Sequence, residues 1–300
     1  MKNKRSDSTY KSEDAILLAA MIYQAYQLFE ADSLVLPEGY ALRYTIAALS
    51  GVETPKPEVF GFVAESHDKI VVTFRGTRTF EDNESDQDLF QIPYPFARNA
   101  GKTHRGFTCI YQSARSGLLD ELHKLSPAKK LFVAGHSLGG ALAVLAALDL
   151  AVNTRFKNLF VYTYGSPRVG DPVFASTFNY MVKNSIRIAN VHDIIPTLPE
   201  QAYLPPFTKK GLYYRHVNTK YPLSFQLNSV AVRNHEIVCY YNDLSKQNPG
   251  FTRELCWRNP DFCPDTDSCI PFAGGCGRGW SAAFHTATPY RRGRKKSCRQ

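Results

Sequence analysis

Residues 131–152 read LFVAGHSLGGALAVLAALDLAV. Four apolar residues, Leu131, Phe132, Val133 and Ala134, stop at Gly135, and after His136-Ser137-Leu138-Gly139-Gly140 comes a long run of Ala, Leu and Val. The first run is too short for a helix and suits a strand buried on both faces, whereas 138–152 is built of strong helix formers. Between them stands Gly-x-Ser-x-Gly. Its glycines let the chain reverse in little space, which would lift the Ser137 hydroxyl to the top of a sheet at a helix N-terminus. That context makes Ser137 a candidate nucleophile; the bland alternative is a tight turn with an incidental serine.

Working outward, the runs at 60–64 and 69–75 (KIVVTFR) predict strands, the second ending in Gly76-Thr77. Downstream, 159–164 predicts a strand ending in Gly165-Ser166-Pro167, and 185–191 another ending in His192-Asp193. Apolar residues at Phe107, Ile110, Tyr111, Ala114, Leu118 and Leu122 follow a helical period, and a further helix is expected over 172–182. Residues 12–30 read as a helix capped by Ser12, with Glu13 and Asp14 in its first turn. The stretch after it, with Pro37, Gly39, Gly51, Pro55 and Pro57, reads as irregular. A proline- and aromatic-rich loop spans 196–214, 221–232 reads as one or two strands, and 235–241 opens the last helix of the body. Short apolar strands alternating with helices predict an α/β fold with a mainly parallel central sheet flanked by helices. In such folds functional groups gather at the carboxyl ends of strands.

A serine hydroxyl needs a base to take its proton, and the base needs a group to orient it. Where the chain order is Ser, then acid, then His, His67, His104, His123 and His136 come too early. His235, after the last strand candidate and at a helix start, is favoured over His216 in its polar loop. For the acid, Asp193 is favoured over Asp171. It lies one strand further from the serine, which leaves room for an imidazole between them, while Asp171 stands before Pro172 as a helix cap would.

Several stretches then agree with one family. VVTFRGT at 71–77, HRGF at 104–107, GHSLGG at 135–140, YGSPRVGDP at 164–172, VHDIIPTLP at 191–199 and NHEIVCYY at 234–241 occur in the order seen in the class 3 lipases, which the chain resembles from residue 12 to 243. The resemblance, taken as one to a bacterial-type member, implies an α/β-hydrolase fold acting on carboxylic esters of acylglycerols, sometimes of phospholipids. It implies Ser137 as nucleophile, Asp193 as acid and His235 as base, with an oxyanion hole from the N–H groups of Thr77 and Leu138. It implies neither cofactor nor metal. One departure is plain: the family often carries Asp-Trp shortly after RGT, and here Asp82 is followed by Asn83.

Composition bounds the remaining classes. The chain has 300 residues, 44% of them hydrophobic and 21% charged, with a net charge of +9. From Lys246 onward there are 10 Lys/Arg against 4 Asp/Glu, so the basic excess belongs mostly to the end of the chain. Residues 1–245 are therefore expected to form the hydrolase domain and 246–300 a basic, poorly ordered tail. Its terminal run RRGRKKSCRQ could contact an anionic membrane surface; no nucleic-acid partner is expected. No run reaches the ~18 apolar residues that span a bilayer, and MKNKR is not followed by a cleavable apolar segment, so a cytoplasmic location is the default. Cys109 and Cys239 read as small core residues. Cys256, Cys263, Cys269, Cys276 and Cys298 lack zinc-type spacing, and disulfides are not expected in a reducing compartment. Asp82, Glu84, Asp86 and Asp88 alternate like a calcium loop, but Gln87 stands where that loop turns on glycine, so a solvated acidic loop is expected.

Overall fold

The apolar runs at 69–75, 131–134 and 159–164 become the middle of one sheet. In the computed structural model, which describes residues 10–50, 56–77, 90–204, 211–217, 219–227, 231–266 and 269, the strands are β1 (Ala41–Ser50), β2 (Lys56–Glu65), β3 (Lys69–Phe74), β4 (Gln91–Pro93), β5 (Lys102–His104), β6 (Lys130–His136), β7 (Leu159–Tyr164), β8 (Asn184–Asn190), β9 (Ala202–Tyr203), β10 (Leu212–Tyr213) and β11 (Thr219–Leu223). Among the described residues seven of them pair in the order β1-β2-β3-β6-β7-β8-β11. From β3 to β11 every pairing is parallel, while β1 and β2 are added antiparallel at one edge.

The central strand β6 shows why the sequence reads as it does. Leu131 and Val133 point into the core shared with α2 (Arg105–Lys124), α3 (Leu138–Asn153) and α4 (Pro172–Met181). Phe132 and Ala134 point the other way, into the core shared with α1 (Ser12–Ala31) and α5 (Ile237–Ser245), which α6 (Pro249–Arg258) borders. A strand buried on both faces has to be apolar at every position. The same logic explains α3, whose residues from Leu138 to Leu150 are all buried, so it has no polar stripe. At ~1.5–3 kcal/mol for each large apolar side chain removed from water, this unit anchors the fold.

Four expectations are corrected. The stretch read as irregular contains β1, which runs along the sheet edge. Its outer residues Leu42 and Leu49 stay exposed, so it never needed the continuous apolar run that marks an inner strand. Helix α1 begins at Ser12, but the capping residue is Lys11, whose side chain makes no cap bond. Among the described residues of 221–232 there is the end of β11 and then the start of a 3-10 turn, Ala231–His235.

The fourth correction concerns the chain after residue 245. Helix α6 packs near α1, Gln24 donates to the carbonyls of Asp261 and Phe262 at 2.9 Å each, and the Phe262 side chain is fully buried. The described part of the tail thus belongs to the body. Cys239 is joined to Cys269 and Cys256 to Cys263, with Cα separations of 5.5 and 5.6 Å, and Cys109 is also disulfide-bonded. A cysteine paired with a distant one reads in sequence like any small buried residue, which is why spacing hid these bonds. The acidic loop at 82–88 and the basic run 291–300 lie outside the described residues. No described helix is long and apolar enough to cross a membrane.

Candidate active site

Strand β6 ends at His136, and Ser137 follows with φ 57° and ψ −128°. A side-chain-bearing residue pays on the order of 1–3 kcal/mol to sit at such a φ. The surroundings hold it there: Ser137 N–H donates to the Tyr164 carbonyl at 3.0 Å, and its own carbonyl accepts from Gly140 and Ala141 at 2.9 and 3.3 Å. The two motif glycines are needed because strand, helix and neighbouring strand nearly touch. A Cβ on Gly135 would strike the backbone of Gly139, and one on Gly139 would strike the carbonyls of Phe74 and Arg75.

Two strands away, β8 ends just before Asp193. Its buried carboxylate takes the Ile195 N–H on Oδ1 at 2.9 Å, and the Tyr240 hydroxyl and His235 Nδ1 on Oδ2, each at 2.7 Å. An acceptor facing Nδ1 places the imidazole proton there, so Nε2 of neutral His235 is left as a lone-pair base. His235 closes the 3-10 turn ahead of α5, and Tyr240 lies on that helix. Gly165, at φ +56°, gives the pair its space, since a Cβ there would stand 2.9 Å from Asp193 Oδ2 and 3.0 Å from the His235 ring.

Three side-chain atoms at these strand and turn ends, Thr77 Oγ1, Ser137 Oγ and His235 Nε2, are buried and have no hydrogen-bond partner among the described residues. Each such atom costs about 1–3 kcal/mol. A serine, a threonine and a histidine left unsatisfied together, with one of them backed by a carboxylate, can do what an isolated turn cannot: accept, pass and donate a proton around a bound group.

The competing candidates have other work. Asp171 caps α4, its Oδ1 accepting from Phe174 N–H at 2.8 Å. His216 faces the Pro196 carbonyl at 2.6 Å, and burial, with the nearby Arg187 cation, presses its pKa down to about 3. Leu138 begins α3, so its N–H is among the free amides of a helix N-terminus. Tyr240 was not foreseen; its only signal was an aromatic on the helix that follows His235.

A mainly parallel sheet with a serine on the turn after a central strand and a histidine–aspartate pair beyond its neighbours is the architecture of the α/β-hydrolase fold. Residues 71–203 match the family model described as Lipase (class 3). It is 40% identical over 149 residues to a lipase of Rhizomucor miehei, covering 46% of this chain and 40% of the relative. It is 30% identical over 237 residues to phospholipase A1-II 1 of Oryza sativa subsp. indica, covering 65% of this chain and 58% of the relative. A solved structure described as a serine protease triad forming the catalytic centre of a triacylglycerol lipase superposes with a TM-score of 0.56 at 26% identity, covering 70% of this chain and 78% of that one. The chain spans less than two thirds of the length of either curated relative. These relatives are fungal and plant, and the bacterial type expected from the sequence finds no support.

Proposed function

We propose that this chain is a serine hydrolase cleaving carboxylic esters of acylglycerols, of the triacylglycerol lipase type. Ser137 is the nucleophile, His235 the general base and Asp193 the acid that orients it. The observation that carries the reading is the 2.7 Å Asp193–His235 bond beside two buried atoms, Ser137 Oγ and His235 Nε2, that no described residue satisfies. Buried polar atoms are almost always paired, and a substrate would pair these.

The chemistry follows from the parts. His235 Nε2 takes the hydroxyl proton as Ser137 Oγ adds to the ester carbonyl. The oxyanion is held by the N–H groups of Leu138 and Thr77, each donor being worth ~3 kcal/mol in comparable sites. His235 then gives the proton to the leaving alcohol. Water, deprotonated by the same nitrogen, attacks the acyl-enzyme and releases the fatty acid. Asp193 stays ionised throughout and stabilises the imidazolium.

The match to a plant protein named phospholipase A1 over the longer stretch supports phospholipid esters as a second substrate class. Contact of the basic run 291–300 with an anionic surface belongs to the same reading, as does an oxidising compartment, which suits the Cys239–Cys269 and Cys256–Cys263 bonds better than the cytoplasmic default.

The test is hydrolysis of tributyrin, triolein and phosphatidylcholine by the wild type and by Ser137→Ala. The wild type is expected to cleave at least one of the two triacylglycerols, and the variant to lose about 10⁶-fold in kcat. Comparable rates in the two proteins would sink the proposal; cleavage of phosphatidylcholine alone would decide for the second substrate class.

A further inference from the structure

One hydroxyl outside the triad joins several of the parts that build it. Tyr26, near the end of α1, accepts the Gly76 N–H on its oxygen at 2.8 Å, so its own proton has to go elsewhere. Nδ1 of His136 stands 2.8 Å away. Burial raises the Tyr26 pKa, while burial and the adjacent His235 lower that of His136, so both groups are neutral. His136 therefore carries its proton on Nε2, which faces the backbone carbonyl of His235 at 2.6 Å. A single line of hydrogen bonds thus runs from the end of β3, through α1 and the residue preceding the nucleophile, to the backbone of the base.

The end of β3 is gripped from its other side as well. Arg75 Nη1 donates to the Gly76 carbonyl and Nε to the Val59 carbonyl, each at 2.7 Å. Its guanidinium lies 3.5 Å from the ring centre of Phe29, one turn of α1 after Tyr26, and 4.6 Å from that of Phe60. The Gly76 C=O and the Thr77 N–H belong to one planar peptide unit, so holding the first orients the second, while Tyr26 holds the unit before it. Gly76 makes the approach possible: a Cβ there would stand 2.6 Å from Tyr26 Oη and 2.7 Å from Ser137 Cβ.

We propose that Tyr26, acting with Arg75 across Gly76, is a positioning residue of this site: it aims the Thr77 N–H at the oxyanion and fixes the backbone of His235 through His136, without touching the ester. The proposal rests on the hydrolase reading above and assigns α1 a part in it.

The test measures kcat and KM on p-nitrophenyl butyrate, and the affinity of an alkyl boronic acid that adds to Ser137 as a tetrahedral species, for the wild type, Ser137→Ala, Tyr26→Phe and Phe29→Leu. Tyr26→Phe is expected to lose about 10- to 100-fold in kcat with KM within about twofold, and to lose boronate affinity in parallel, as removal of transition-state stabilisation requires. An unchanged kcat, or a lowered kcat with boronate affinity per folded molecule intact, overturns the proposal and leaves Tyr26 a structural residue. If Tyr26→Phe does not fold, Phe29→Leu at its part-exposed position decides: the same parallel loss at roughly three- to tenfold supports the proposal, and wild-type kcat overturns it. An inactive wild type, or a Ser137→Ala variant as active as the wild type, overturns the hydrolase reading itself and this proposal with it, so the two failures are told apart.

Discussion

Asp149 in the C-terminal part of α3 and Asp193 beyond the end of β8 are both buried carboxylates, at 0% and 4% exposure, and they are treated in opposite ways. Asp149 is saturated: Arg115 reaches it through Nε at 2.6 Å and Nη2 at 3.0 Å, and Tyr111 and Asn153 donate at 2.7 and 2.6 Å. Its counter-charge is permanent and stacked over Phe96. Asp193 instead faces an imidazole, and the other nitrogen of that ring has no partner among the described residues. The first arrangement ends every electrostatic demand inside the protein. The second passes one on to whatever enters the site, and on the proposed function that difference separates a structural charge from a working one.

The contrast can be broken experimentally. Asp193→Asn keeps the side-chain shape but removes the charge that fixes the His235 tautomer, and is expected to lower kcat about 10⁴-fold with little change in the urea midpoint; a variant of near-normal kcat would remove Asp193 from the mechanism. Arg115→Met leaves the Asp149 charge uncompensated in the core. It is expected to cost about 3–5 kcal/mol in urea unfolding while folded molecules keep their kcat, and a kcat loss at normal stability would mean that Asp149 is not purely structural. Tyr240→Phe removes one donor from Asp193 and should sharpen the comparison more gently, by about tenfold in kcat, the equivalent of one hydrogen bond to a charged group.

The smallest effect concerns a buried base rather than an acid. Burial lowers the His104 pKa to about 4, against an ordinary value near 6.5. Between those values the unfolded chain binds a proton that the folded one refuses, so the stability is complete above about pH 6.5 and falls as pH drops below it, by up to ~1.4 kcal/mol per pH unit. In His104→Asn, which keeps an acceptor for the Phe107 N–H that His104 caps, Tm should fall less steeply from pH 6.5 to 4. An equal slope would assign the acid sensitivity to other groups.

What was legible beforehand follows the same physics. Strands β3, β6 and β7 were readable because burial on two faces forces near-continuous apolar runs, and the candidates Ser137 and Asp193 because each lies just beyond a sheet strand; the candidate His235 rested on chain order, since it closes a 3-10 turn ahead of α5 and does not follow a strand directly. Edge strand β1 escaped, since only part of its surface is buried and its prolines and glycines flank it rather than interrupt it. His136 was set aside on chain order, a rule about the base that says nothing of positioning. Tyr26 and Tyr240 could not be found because their partners lie 50 and 47 residues away, beyond any local period. The cysteines taken for core residues or a loose tail were joined across 30 residues in one case, and spacing alone does not encode connectivity.

Helix α1 carries a further consequence, in time rather than in space. Its residues Ala15–Ile22 are buried on every side, and although β2 and β3 cover part of them early, the other covers arrive late: the Tyr164 hydroxyl that donates to the Ala15 carbonyl, then α5, then the turn that holds Gln24. Synthesis at ~5–20 residues per second leaves one side of this apolar segment uncovered for many seconds on a ribosome. The helix whose Tyr26 takes the Gly76 N–H in the finished protein is therefore partly uncovered, and open to wrong contacts, while the chain is being made.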